Sequence, residues 1–229
     1  MNQHSSRADI LARVRAALQH HPASAEERRA SVIAEIAAPP AGPRPQLTGD
    51  LVDRFCKRSL AMSSSIEQVA SLAAAPAAIA RYLAAGGLPT AAVCWQEYAD
   101  LDWAGAGLSV EARAARDDDL VGITGTFCAL AETGTLMLLS GSRTAATTSL
   151  LPETHIAIVD AARIVAGMEE GFALLRHESG ERGECGELPR AVNFVSGPSR
   201  TGDIEQTIVL GAHGPYRVHL VIVGAGVKA

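Results

Sequence analysis

The sequence predicts an α/β fold, a mostly parallel sheet flanked by helices, with an N-terminal helical leader in front of it. Four near-continuous apolar runs, Thr135 to Ser140, His155 to Val159, Ala191 to Val195 and Val218 to Val223, suit strands buried on both faces. Segments of helical spacing alternate with such runs, which is the rhythm of β-α-β units. The available core is small and aliphatic: hydrophobic residues make up 48% of the 229 residues but aromatics only 4%, with 42 alanines and 21 glycines. A chain of this length forms one or two domains.

Taken in order, Arg7 to His20 places Ile10, Leu11, Val14, Ala17 and Leu18 on one helix face, and Pro22 stops the helix. Ser24 to Ala37 reads as a second helix, with Ser24 as N-cap and Glu27 completing a capping box. Pro39, Pro40, Pro43 and Pro45 then break the chain. Residues 1–45 are therefore expected to be a helical leader and linker, and residues 46–229 the main domain. The leader can pack on the main body or on a neighbouring subunit, so a homo-oligomer is among the arrangements allowed. Asp50 to Met62 reads as helix, Leu72 to Ala85 as an alanine-rich helix closed by Gly86 and Gly87, and Thr90 to Trp95 as a short strand. Ala161 to His177 reads as a further helix, and Glu178 to Arg190 as a surface loop.

Composition also excludes several functions. Twenty basic residues against 25 acidic ones give a net charge of −5, which offers no footprint for nucleic acid. Only Lys57 and Lys228 are lysines, which removes the main actor of Schiff-base and phosphate-loop mechanisms. P-loop, zincin and nucleophile-elbow motifs are absent. Cys56, Cys94, Cys128 and Cys185 lack the spacing that holds zinc or an iron–sulfur cluster, so no intrinsic cofactor is expected. A polar start and the lack of an apolar run of about 18 residues lead to the expectation of a cytoplasmic protein without a membrane span.

Ligands of parallel sheets sit beyond the carboxyl ends of the strands, so the glycine-rich and polar segments flanking them are the candidates. In Gly122 to Thr135, Thr124, Thr133 and several glycines surround one acid, Glu132, which either acts as an acid/base or caps a turn or pairs with an arginine. In Gly197 to Gln206, Gly197 starts a turn, Ser199, Arg200 and Thr201 present donors, and Asp203 can cap a helix beginning at Ile204. A helix N-terminus beside Arg200 would be an anion site, unless Asp203 and Arg200 merely pair. His213 lies between glycines in the turn Gly211 to Pro215, where it can exchange protons or simply hold the turn. Arg143 and Thr144 in the Gly141 to Thr144 turn are further anion candidates, whereas His155 and His219, inside apolar runs, read as core residues.

The blocks GITGTFCALAETGTLML, TSLLPETHIAIVD, SGPSRTGDIEQ and LGAHGPYRVHLVIV, in that order between Val121 and Val223, resemble the LUD domain family, in particular its lactate utilization protein C branch. The resemblance implies the fold of the superfamily that includes ribose-5-phosphate isomerase, glucosamine-6-phosphate deaminase and coenzyme A transferases. It also implies a role in oxidising L-lactate to pyruvate beside iron–sulfur and cysteine-rich partner proteins, which would carry the redox centres. Under that reading a small anionic substrate would be clamped by Arg200 and the helix at Ile204, with His213 or Glu132 as the base. The alternative is an independent enzyme or binding protein for a phosphorylated sugar, folate or CoA ester, with Glu132 as acid/base or nucleophile. A third reading makes the chain a binding protein whose N-terminal helices dock a partner.

Overall fold

A computed structural model describes residues 3–17, 24–38, 42–181, 189–204 and 207–224. Contacts divide the chain into two units, Met1–Gln46 and Leu47–Ala229. In the first, helices α1 (Gln3–Ala17) and α2 (Ala25–Ala37) carry exposed apolar side chains, Ile10 and Val14 on α1 and Val32, Ile33 and Ile36 on α2. The capping box forms as the sequence predicts: Ser24 Oγ accepts from the Glu27 amide at 3.1 Å and Glu27 Oε2 from the Ser24 amide at 2.6 Å. Helix α1 begins earlier than the expected Arg7, and residues 18–20 lie outside the described residues.

The second unit opens with α3 (Leu51–Ala61), whose first turn is capped by Asp50 Oδ1 accepting from the Asp53 amide at 2.8 Å. Strand β1 (Ser65–Val69) follows, then a 3-10 turn at Leu72–Ala74 that runs into α4 (Ala75–Ala85). Next come β2 (Ala91–Cys94), β3 (Ser109–Ala112), β4 (Val121–Thr124), β5 (Cys128–Leu130), β6 (Thr135–Leu139), a one-turn helix α5 (Thr147–Leu150) and β7 (Thr154–Asp160). The chain closes with β8 (Ile164–Val165), α6 (Met168–Glu181), β9 (Val192–Val195), β10 (Arg200–Ile204), β11 (Thr207–Leu210) and β12 (Arg217–Val223).

Six strands make a wholly parallel sheet in the order β1-β12-β7-β4-β2-β3. The central strand β7 is buried from Thr154 to Val159 and emerges at Asp160, which explains its unbroken apolar run. Alternate residues serve opposite faces. Ile156, Ile158 and Val221 pack with the α4 residues Ala75, Ala78, Ile79 and Leu83, whose spacing is that of one helix face. Ala157, Val159, Leu220 and Ile222 pack with Phe55 of α3 and with Leu136 and Leu138 of β6. Each fully buried Leu or Ile contributes roughly 2 kcal/mol. His155 and His219 are core residues as expected, the second stacked on Tyr82 with ring centroids 3.8 Å apart.

A second sheet, β8-β5-β6-β9, lies between the large sheet and α6, and Leu130, Met137 and Leu175 pack together on its α6 side. This corrects two expectations. Thr135 to Ser140 and Ala191 to Val195 form antiparallel strands here, not members of the parallel sheet. The turn between β5 and β6 is too short for the crossover that a parallel pair needs, and Gly134 at φ +74° closes it. The helix expected over Ala161 to His177 is a 3-10 turn at Ala161–Arg163, then β8, with α6 beginning only at Met168. The β-branched pair Ile164–Val165 is taken up by pairing with β5. A third correction concerns Ile204: no helix begins there, because Arg200–Ile204 pairs with Thr207–Leu210 as an antiparallel hairpin.

Candidate functional site

A cleft of about 800 Å³ opens beyond the carboxyl ends of the parallel strands, the position at which such sheets bind ligands. Four strand ends supply its walls: β2 leads to Glu97 and Tyr98, β4 to Thr126 and Phe127, β7 to Asp160, and β12 ends at Val223. The end of β6 and the segment after it add Leu139, Ser140 and Thr144, α6 adds Leu175, Glu178 and Ser179, and Arg163 and Arg190 bring positive charge.

The polar groups of this cleft are held firmly. A Cβ on Gly125 would overlap both Tyr98 Oη and Glu97 Oε1, so glycine allows these two side chains to settle against the backbone just past β4. Burial, reinforced by the Glu97 and Asp160 carboxylates, pushes the Tyr98 phenol well above its usual value and keeps it a protonated donor toward Glu97. Asp160 Oδ1 accepts from the Ala162 amide at 2.9 Å. Arg163 donates to the Phe127 carbonyl and, at 2.9 Å, to Glu178 Oε1, and its guanidinium lies 4.8 Å from the Phe127 ring centroid. Thr126 Oγ1 donates to the Cys128 carbonyl at 2.8 Å, and Thr144 Oγ1 to that of Leu139 at 2.8 Å. The site can therefore offer fixed acceptors and one further cation, Arg190, which is exposed and unpaired among the described residues.

The residues singled out in the sequence lie mostly elsewhere. Thr124 is buried at the end of β4 and shares a 2.8 Å hydrogen bond with His155 Nε2. Burial depresses His155 to about 4, so the ring is neutral, and its Nδ1 has no partner. Arg143 lines a separate hollow of about 100 Å³ with Trp95, Gln96 and Arg113. Glu132 faces Gly167 beside Glu169 and Glu170, and Thr133 begins a chain of hydroxyls through Thr135 at 2.7 Å to Ser196 at 2.6 Å. Gly197, at φ +76°, packs against the Met62 carbonyl, where a Cβ would overlap the oxygen. Arg200 Nη2 donates to Ser63 Oγ, and the Ser199 amide to the Pro215 carbonyl at 2.9 Å, which ties this loop to the turn that carries the exposed His213. Thr201 is buried in β10, and Asp203 lies on that strand with its side chain outside the described residues. The anion clamp expected at Arg200 has lost its helix N-terminus.

Glu132, Thr133 and the Gly197–Arg200 segment lie at the end of the second sheet opposite the cleft, whereas Thr124 and Arg143 adjoin residues that line it. Strand β6 runs from Thr135 at one end to Leu139 at the other, a span of about 14 Å. Glu97, Tyr98, Thr126, Ser140, Asp160, Arg163 and Arg190 were not among the sequence candidates. Asp160 had a visible signal, as the first charged residue after an unbroken apolar run, and Glu97 and Tyr98 follow a strand by a few residues.

Among the described residues, no group of three or more His, Cys, Asp or Glu side chains is placed to hold a metal ion. Cys94 on β2 and Cys128 on β5 are buried in different sheets, and burial pushes both thiols up to about 11. These thiols do not fit an iron–sulfur cluster, and Cys185 lies outside the described residues. No described helix is long and apolar enough to cross a membrane.

A family model described as LUD domain matches residues 57–223. The chain is similar to lactate utilization protein C of Geobacillus sp. (strain WCH70), 42% identical over 103 residues, which is 45% of this chain and 42% of that protein. It is also similar to lactate utilization protein C 1 of Bacillus mycoides (strain KBAB4), 43% identical over 104 residues, covering 45% of this chain and 43% of that protein. The matches thus span less than half the length of these curated relatives. The fold is similar to the crystal structure of a DUF162 family protein from Deinococcus radiodurans, with a TM-score of 0.56, 23% identity, and coverage of 79% of this chain and 100% of that one.

Proposed function

The chain belongs to the LUD domain family, and from that premise we propose that it serves the oxidation of L-lactate to pyruvate as a substrate-binding or accessory subunit, with iron–sulfur and cysteine-rich partner proteins carrying the redox centres. The observation that carries this reading is the identity of about 42% with proteins named lactate utilization protein C. The thiol arrangement supports it from the other side, because the described cysteines are poor candidates for a redox centre.

The cleft is the place for substrate in this reading. Arg190 would take the lactate carboxylate, and Glu97 or Asp160, facing the same space, would accept the proton of the hydroxyl. The Cα–H bond breaks as the carbonyl forms, and its hydrogen leaves with the electron pair, as hydride, for an acceptor held by a partner. The test is a turnover assay with L-lactate and an artificial electron acceptor. The chain alone yields no pyruvate, and addition of the iron–sulfur and cysteine-rich partners restores lactate-dependent turnover that Arg190→Ala weakens. Pyruvate formation by the purified chain without partners would overturn the accessory role.

A further inference from the structure

The cleft offers more room and more acceptors than lactate held at Arg190 would use. Its volume of about 800 Å³ lies in the range, roughly 300–1,000 Å³, of sites that enclose ligands much larger than a three-carbon acid. Its charges beyond Arg190 are ones that the lactate carboxylate does not engage. Arg163 is already matched by Glu178, which leaves one cation, Arg190, against the two carboxylates of Glu97 and Asp160. Carboxylates fixed in this manner, one by Tyr98 and the other by the Ala162 amide, favour a ligand that donates hydrogen bonds. Adjacent hydroxyls on a sugar ring are such donors. Phe127, Leu139 and Leu175 also line the cleft and pack together as an apolar cluster suited to a flat ring system.

We infer that the cleft binds a nucleoside-type ligand, its ribose diol on Glu97 and Asp160 and its base against Phe127, Leu139 and Leu175. This rests on the reading of the cleft as the ligand site and leaves room at Arg190 for lactate. It makes the chain a binder of two molecules, of which the small acid is the lesser part of the contact.

The inference is tested by calorimetry on the full chain with adenosine, guanosine, uridine, nicotinamide riboside and L-lactate. At least one nucleoside binds, and its 2′,3′-dideoxy form binds at least about tenfold more weakly, the cost of losing the hydrogen bonds from the diol to two carboxylates. Glu97→Gln and Asp160→Asn abolish the difference between the two forms, and because both side chains are exposed at the cleft the variants keep the circular-dichroism spectrum of the parent. Failure of every nucleoside to bind the folded protein, or equal binding of the ribo- and dideoxy forms, overturns the inference. Lactate turnover with partners that persists in that case leaves the lactate role standing. Nucleoside binding without such turnover removes the lactate role and leaves this inference intact.

Discussion

The two ends of the second sheet are both rich in glycine and hydroxyl groups, and they use them in opposite ways. At the end formed by Glu132 to Thr135, Ser196 to Arg200 and the tail of α3, polar atoms satisfy one another: Thr133, Thr135 and Ser196 form a chain, Ser59 Oγ donates to the Gly134 carbonyl at 3.1 Å, and Arg200 reaches Ser63. Glycine here permits backbones to touch. At the other end, Gly125 makes room for side chains, and Glu97, Tyr98 and Asp160 remain directed into an open cleft. A dense run of glycine, serine and threonine is therefore equally a device for closing two elements together and for opening a site, and what separates the two is whether the polar atoms are already spent on the protein itself.

The contrast can be broken most forcefully at Gly197. Its φ of +76° and the Met62 carbonyl beside it leave no place for a side chain, so Gly197→Val should cost about 3 kcal/mol or more in denaturant unfolding, without altering ligand affinity in the fraction that folds. An unchanged midpoint would show that this end is not packed as described. Next comes acidification, which acts beneath the cleft. His155 supports the end of β4 through Thr124 and has its folded pKa depressed by burial to about 4, against an ordinary value near 6.5. Protons therefore bind the unfolded chain first, so the stability conferred by the neutral ring is complete above about pH 6.5 and is lost as pH falls toward 4. Between pH 7 and pH 5 this group alone removes up to about 2 kcal/mol. His155→Gln, which keeps a hydrogen-bonding side chain and does not titrate, should flatten the slope of unfolding free energy against pH. Gly125→Ala sharpens the comparison further: the methyl displaces the movable ends of Tyr98 and Glu97, so affinity for the cleft ligand should fall about tenfold while stability changes by less than about 1 kcal/mol. The smallest effect is expected from Arg200→Ala, whose exposed side chain should be worth no more than about 1 kcal/mol and should leave cleft binding unchanged.

How far these features can be read from sequence follows from what surrounds each segment. Helices with local punctuation were legible, as at Ser24 and Glu27 or at Asp50, because caps act within one turn. Strands β7 and β12 were legible because both of their faces are covered. The same rule misplaced β6, since a strand between a sheet and a helix carries the same unbroken apolar run whichever sheet it joins. Edge strands such as β1 (Ser-Ile-Glu-Gln-Val) and β3 (Ser-Val-Glu-Ala) lack the apolar run altogether. For the site, glycine- and hydroxyl-rich segments stand out by composition, whereas the residues lining the cleft include single charged groups that follow apolar runs. Asp160 closes one such run, whereas Arg163 and Arg190 reach the cleft from elements that only the fold brings together.

The order of strands in the large sheet has a bearing on how the protein is made. Strand β12, the last of the described strands in chain order, lies between β1 and β7, and Ser65 pairs with His219 across 154 residues of chain. Until Arg217 to Val223 has left the ribosome, β1 has no neighbour and one edge of β7 stands open, with its apolar faces not yet covered. The sheet is thus completed by insertion of β12 between two earlier strands, so the strands before it wait on Arg217 to Val223, and truncation before Arg217 should leave an aggregation-prone half-sheet in place of a shorter working domain.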